Sequence, residues 1–173
     1  MELEGTFPLP EAQLDRFLVR VRLGYPTAEE EREILLRAPT GQMPEGFRPI
    51  LGSEEVERLA DQVGQVHVAE VVRSYLVDLA RATRRHPGLE LGVSPRGTLA
   101  LYKMCQAWAA IQGRGYVLPD DVKALLPSVW AHRVLPTPQV RLRGRTLEEV
   151  LATVVEQVPV PVEPAASGGQ SPD

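Results

Sequence analysis

The chain has 173 residues, 43% hydrophobic and 24% charged, with a formal net charge of −4. That is the composition of one ordinary soluble globular domain, and its acidic balance argues against a protein that coats nucleic acid. Cys105 is the single cysteine, so no internal disulfide is possible; with no apolar run of membrane-spanning length and no basic-then-apolar signal pattern at the N-terminus, a cytoplasmic setting is expected.

Met1 to Pro10 contains Gly5, Pro8 and Pro10 and is expected to be a loop. Residues 11–17 have room for about one helical turn. Phe17-Leu18-Val19-Arg20-Val21-Arg22-Leu23 alternates apolar and polar, the period of a strand, and stops at Gly24-Tyr25-Pro26. No second long strand follows to pair with it, which assigns the first 25 residues to a sheet outside this sequence. Thr27-Ala28-Glu29-Glu30 is a capping box and predicts a helix to about Arg37. Residues 38–52, rich in Pro and Gly, form an irregular connector, and Ser53 is expected to cap a helix carrying Val56, Leu59, Ala60 and Val63.

Val68, Val71, Val72, Tyr75, Leu76 and Leu79 make a regular helical stripe. That helix ends in Arg81, Arg84, Arg85 and His86, where cations complement the helix dipole. A solvated basic end explains them more simply than a nucleic-acid patch.

Ser94-Pro95 then opens a helix over 95–112 that is apolar around most of its circumference, the mark of a helix against which others pack. Pro119-Asp120-Asp121-Val122 opens another, interrupted or restarted at Pro127. Val134-Leu135 and Val140-Arg141-Leu142-Arg143 suggest a short hairpin within 132–145. Thr146-Leu147-Glu148-Glu149 is a second capping box, before a helix lined by Leu147, Val150, Leu151, Val154 and Val155, and from Val158 onward Pro, Val and Gly predict a flexible tail.

Arg96 stands out because it sits at the second position of a helix, where the partial positive charge of the N-terminus disfavours a cation. Backbone N–H groups at that end suit an anion. The residues alone leave two accounts open: a phosphate arriving from outside the segment, or a long side chain that swings into solvent. The chemistry for using a phosphate is missing. No lysine follows a glycine, so there is no phosphate-binding loop of the G-x-x-x-x-G-K-[ST] kind, and no apolar strand ends in Asp-Glu. His67, His86 and His132 are far apart and lack metal-ligand spacing.

Gly5 through Phe17, including Leu14-Asp15-Arg16-Phe17, followed by Leu23-Gly24-Tyr25-Pro26, closely resembles the MoxR family of AAA+ ATPases. Val66-His67-Val68, Ala82-Thr83-Arg84, Ser94-Pro95-Arg96, Tyr116-Val117 with Pro119-Asp120-Asp121-Val122, and Ala131-His132-Arg133 fit the same family in register. The resemblance implies a mainly α-helical chain: a lid bundle of about five helices over 26–158, preceded in 1–25 by a remnant of the ATPase core with an orphan strand, and followed by a tail over 159–173. It implies that Arg16 is an arginine finger acting on a neighbouring subunit's nucleotide, with Asp15 orienting it or contacting the same interface; a structural salt bridge is the alternative for Arg16. Arg96, with Ser94 and Pro95, would be the sensor 2 element that meets ATP in its own subunit.

ATP and Mg²⁺ would belong to the complete ATPase, a ring whose neighbouring subunits and nucleotide-binding core are this chain's partners, alongside von Willebrand A-domain proteins. This segment alone would be inactive. Two features depart from the family pattern: the Asn-Pro segment that carries sensor 1 has no counterpart here, and Leu118 replaces a capping Thr or Ser, weakening that helix start by about 1 kcal/mol. The alternatives are a stand-alone helical protein–protein interaction module and, third, a nucleic-acid binder using Arg81, Arg84 and Arg85.

Overall fold

The computed structural model describes residues 10–38 and 48–160. The expected loop over 1–9, the middle of the 38–52 connector and the tail beyond 160 lie outside the described residues. The chain is mainly helical and divides into two units, one of residues 10–20 with 62–160, the other of 21–61.

The smaller unit holds α2, Ala28–Arg37, and most of α3, Ser53–Gly64. The Thr27 capping box forms as its sequence predicts: the Thr27 side chain accepts from the Glu30 N–H while Glu30 Oε2 accepts from the Thr27 N–H at 2.7 Å. The Thr27 N–H, and after it the Thr27 hydroxyl donating to the same oxygen at 2.9 Å, hold the Glu30 carboxyl below the ordinary glutamate range. Ser53 is the first residue of α3 and not its cap; the Gly52 N–H before it donates to Glu55 Oε2 at 2.7 Å. Neither helix buries a residue, and Leu35, Leu36 and Val56 are exposed.

The larger unit is built on four long helices: α4, Glu70–Arg85; α5, Pro95–Ile111; α6, Pro119–Trp130; and α8, Leu147–Gln157. A single turn, α1, Glu11–Leu14, precedes them, and a short helix, α7, Pro138–Leu142, lies before α8. α5 packs against α6 and α4, and α8 lies against α4 and α6. Leu79, Leu101, Val122, Leu126, Trp130, Leu151 and Val154 are fully buried between them. The indole N–H of Trp130 donates to the Gly97 carbonyl at 2.9 Å, so the largest core side chain also satisfies its one polar atom.

α6 starts without a capping side chain at Leu118, as the sequence implies. Asp121 compensates: its Oδ2 accepts from the Leu118 N–H at 2.8 Å, and both its oxygens receive the Arg114 guanidinium, at 2.7 and 2.9 Å. The helix then runs through Pro127 to Trp130 instead of breaking there. Before α4, His67 bridges Tyr116, with the Val117 N–H donating to the His67 carbonyl at 3.0 Å.

α5 is the helix against which α6 and α4 pack, as expected: Ala100, Leu101, Cys105 and Ala109 face the core, and Leu99 and Ile111 are 53% and 75% exposed on the other side. Two other expectations need correction. No local hairpin forms in 132–145. Leu135–Pro136 is a strand, β2, but it pairs antiparallel with β1, Leu89–Leu91, about 45 residues earlier, and 140–142 is helical because Pro138 opens α7. Residues 17–23 form no strand. Backbone groups that a sheet would have paired are taken elsewhere: the Phe17 carbonyl by Arg133 and His132, and the Arg20 N–H by the Ser128 carbonyl at 2.9 Å.

Candidate functional site

The start of α5 is fixed in place by the turn before it. Gly92 lies against the backbone of α4, and a Cβ there would fall 2.6 Å from the Cα and N of Arg84. One residue on, the Val93 N–H donates to Thr83 Oγ1 at 3.0 Å and the Val93 carbonyl accepts from Arg84 Nε at 2.8 Å. Arg84 is therefore committed to a structural bond, which weakens the case for a basic nucleic-acid patch with Arg81 and Arg85. Gly97 allows a similarly close approach: a Cβ there would meet Val93 Cγ1 at 2.7 Å.

Ser94 caps α5 as its sequence predicts, its Oγ accepting from the Gly97 N–H at 3.1 Å. The Thr98 N–H bonds to the Ser94 carbonyl, and Pro95 has no N–H to offer. Of the first-turn amides only that of Arg96 keeps a free hydrogen among the described residues. The expected anion site of backbone N–H groups is thus largely closed, and recognition of an anion falls to the Arg96 side chain. Arg96 is exposed, with no ion pair or side-chain hydrogen bond among the described residues.

Ser94 is also joined to Asp15. Its hydroxyl lies 3.1 and 3.2 Å from the two Asp15 carboxylate oxygens, and Asp15 Oδ1 is 2.8 Å from Arg133 Nη1. The Arg133 side chain is 2% exposed and spends its donors on the same stretch. Nη1 also donates to the Asp15 carbonyl at 2.8 Å, Nη2 to the carbonyls of Phe17 and Leu18, and Nε to the Val129 carbonyl at 2.9 Å. His132 Nε2 is 3.0 Å from the Phe17 carbonyl; that oxygen can only accept, so Nε2 carries the proton and Nδ1 is left buried without a partner. Burial foremost, aided by Arg133 and Arg20, lowers the pKa of this ring. An Arg20–Glu148 pair at 3.0 Å ties the stretch to α8.

The cluster borders a groove of about 830 Å³ lined by Asp15, Arg84, Ser94, Pro95, His132 and Arg133, among others. Of the residues singled out in the sequence, Asp15 and Ser94 meet directly, and Pro95 lines the same groove. Arg16 and Arg96 do not line it; both are exposed, and Arg16 likewise makes no side-chain bond among the described residues. Arg133 enters the sequence reading only inside the family motif Ala131-His132-Arg133, with no role given to it, because its partners at Asp15, Phe17 and Leu18 lie more than 110 residues upstream. Among the described residues no cluster of His, Cys, Asp or Glu could hold a metal ion. Burial pushes the Cys105 thiol up to about 12, an inert core group. No described helix is long and apolar enough to cross a membrane.

In sequence and in overall fold the chain is similar to known proteins. The AAA lid domain profile matches residues 81–154, which contain Ser94, Arg96 and Arg133. The YeaC protein of Bacillus subtilis is 39% identical, the match covering 96% of this chain and 52% of YeaC. Chaperone MoxR1 of Mycobacterium tuberculosis is 35% identical over 93% of this chain and 45% of its own length. The crystal structure of a candidate ATPase from Cytophaga hutchinsonii superposes with a TM-score of 0.84 at 27% identity, covering 93% of this chain and 52% of that one. The chain thus spans about half the length of the curated relatives it matches. On its motifs, its fold and these relatives, the chain carries an AAA lid domain and is similar over most of its length to the MoxR proteins.

Proposed function

We propose that this chain is the lid and finger segment of an ATP-driven ring that remodels partner proteins as a chaperone does. Residues 1–25 are the end of the ATPase core, 26–158 the lid and 159–173 a tail. Arg96 meets the terminal phosphate of the ATP bound in its own subunit. Arg16 reaches the nucleotide of the neighbouring subunit, where a guanidinium stabilises the charge that develops during phosphoryl transfer. Asp15 orients the segment that bears Arg16, and Ser94 and Pro95 set the start of the helix that bears Arg96.

The phosphate loop and the Mg²⁺ ligands are supplied by the rest of the ATPase, whose ring works in the cytoplasm, and von Willebrand A-domain proteins are candidate partners. The observation that carries this reading is the contrast between neighbours: Asp15 and Ser94 are locked into one bonded cluster, whereas Arg16 and Arg96 beside them are exposed and unpaired among the described residues.

The test has two parts. An ATP titration of the 173-residue chain by calorimetry is expected to show no affinity tighter than about 1 mM; micromolar binding would overturn the assignment of the phosphate site to the missing core. In the ATPase joined to its core, Arg16→Ala is expected to lower kcat by about 10³-fold while ATP still binds. A second reading, a stand-alone interaction module, is favoured by the apolar groove of about 430 Å³ between α4 and α5 that includes Leu76, Val77, Leu99 and Tyr102. A chain that forms a stable complex with a partner protein in the absence of the core would support it.

A further inference from the structure

We infer that Arg133 is a positioning residue that clamps the backbone on both sides of Arg16 and, through Asp15 and Ser94, ties that stretch to the first turn of α5. The inference rests on the finger reading of Arg16 given above. It starts from the number of donors. A guanidinium has five N–H bonds, and burying it is costly unless each is used. Arg133 uses them on Val129, on the carbonyl and carboxylate of Asp15, and on the carbonyls of Phe17 and Leu18. The two carbonyls that flank Arg16, those of Asp15 and Phe17, are both in its grip, and His132 Nε2 shares the second. Arg16 itself projects from the gripped stretch with no bond of its own among the described residues.

The clamp continues without a gap. The Gly97 N–H donates to Ser94 Oγ, the Ser94 hydroxyl donates to Asp15, and the Asp15 carboxylate receives Arg133. A chain of hydrogen bonds therefore runs from the first turn of the helix bearing Arg96 to the backbone on either side of Arg16. The last link depends on the shape of the fork, since a lysine at 133 offers one point charge and cannot bond both flanking carbonyls and the carboxylate at once. The consequence is that the residue assigned to the subunit's own nucleotide and the residue assigned to its neighbour's are held in one frame.

Two measurements test this. In the chain as it stands, Asp15→Asn is expected to speed amide exchange about tenfold both in residues 16–20 and in 97–98, while α8 is unaffected. Faster exchange confined to 16–20 would overturn the link to α5. In the ATPase joined to its core, Arg133→Lys is expected to lower kcat about 100-fold with the KM for ATP nearly unchanged. Added to Arg16→Ala it should cost nothing more, because Arg133 acts through Arg16. Ser94→Thr, which keeps the hydroxyl, should retain the turnover that Ser94→Ala loses. Additive losses in the double variant, or full turnover in Arg133→Lys, would overturn the positioning role while the finger reading stands. Full turnover in Arg16→Ala would instead remove the finger reading, and this inference with it.

Discussion

His86 and His132 show how single side chains set the response of this fold to acid. His86 Nδ1 accepts from the Gly88 N–H at 3.1 Å, so the ring is neutral with its proton on Nε2, which lies 3.2 Å from Thr153 Oγ1. Burial first, then the charge of Arg145, lowers its pKa below the ordinary 6.5. His132 is shifted the same way by burial. For a group whose folded pKa is depressed in this sense, the unfolded chain takes up protons first. Stability is then complete above 6.5 and falls as the pH drops below it toward the folded values. The urea midpoint is expected to be lower at about pH 5.5 than at about pH 7.5, a window above most carboxylate titration. His86→Asn, which keeps an acceptor where Nδ1 stood, should shrink the decline; an unchanged difference would show that His86 takes no part in it.

Gly92 belongs to the same scale. Because a Cβ there would stand 2.6 Å from the backbone of Arg84, where no side chain can swing aside, Gly92→Ala is expected to destabilise by at least about 2 kcal/mol in chemical denaturation. Local sequence marks this glycine only as a turn. That it touches α4 follows from packing, which explains why its role was not legible.

At the scale of elements, what could be read was whatever bonds within a few residues. The boxes at Thr27 and Thr146 and the Ser94 cap close over three residues, so sequence spacing alone announces them, and all three form. The pairing of β2 with β1 closes over a much longer loop, and a two-residue strand has too few positions to show a period. The strand pattern of 17–23 is real in the sequence, yet among the described residues it has no partner strand, and the His132 and Arg133 side chains just past α6, with the Ser128 carbonyl, take polar groups of 17–20 instead.

The same contrast predicts unequal results for two similar substitutions. Thr146→Ala removes the cap of a helix with Val150, Leu151 and Val154 fully buried and should cost about 1 kcal/mol of global stability. Thr27→Ala removes the cap of a helix that buries nothing, so it should lower helix content without moving the main unfolding transition. Circular dichroism with urea separates the two.

For the whole molecule, the family likeness carried the outline. The lid bundle was legible from motifs scattered over most of the chain, whereas the bonds that fasten residues 15–20 to the lid were not, since they join positions more than 100 apart. Those bonds make the N-terminal stretch a working part of the larger unit. Deleting residues 1–20 would leave the buried Arg133 guanidinium without its carboxylate and three of its carbonyls. The loss expected is about 3 kcal/mol, read as a lower urea midpoint. A deletion that unfolds at the same midpoint would show that the lid stands without the segment that precedes it.

The closed first turn of α5 has a last consequence for how such a lid lets go. A phosphate cradled by a ring of main-chain amides is held by geometry that cannot change without unravelling the helix. Here proline and the serine cap leave only the Arg96 N–H free among the described residues, so in the role proposed for Arg96 the anion would be held by one long, rotatable arm. A grip of that kind would open by a bond rotation, with the bundle beneath it undisturbed.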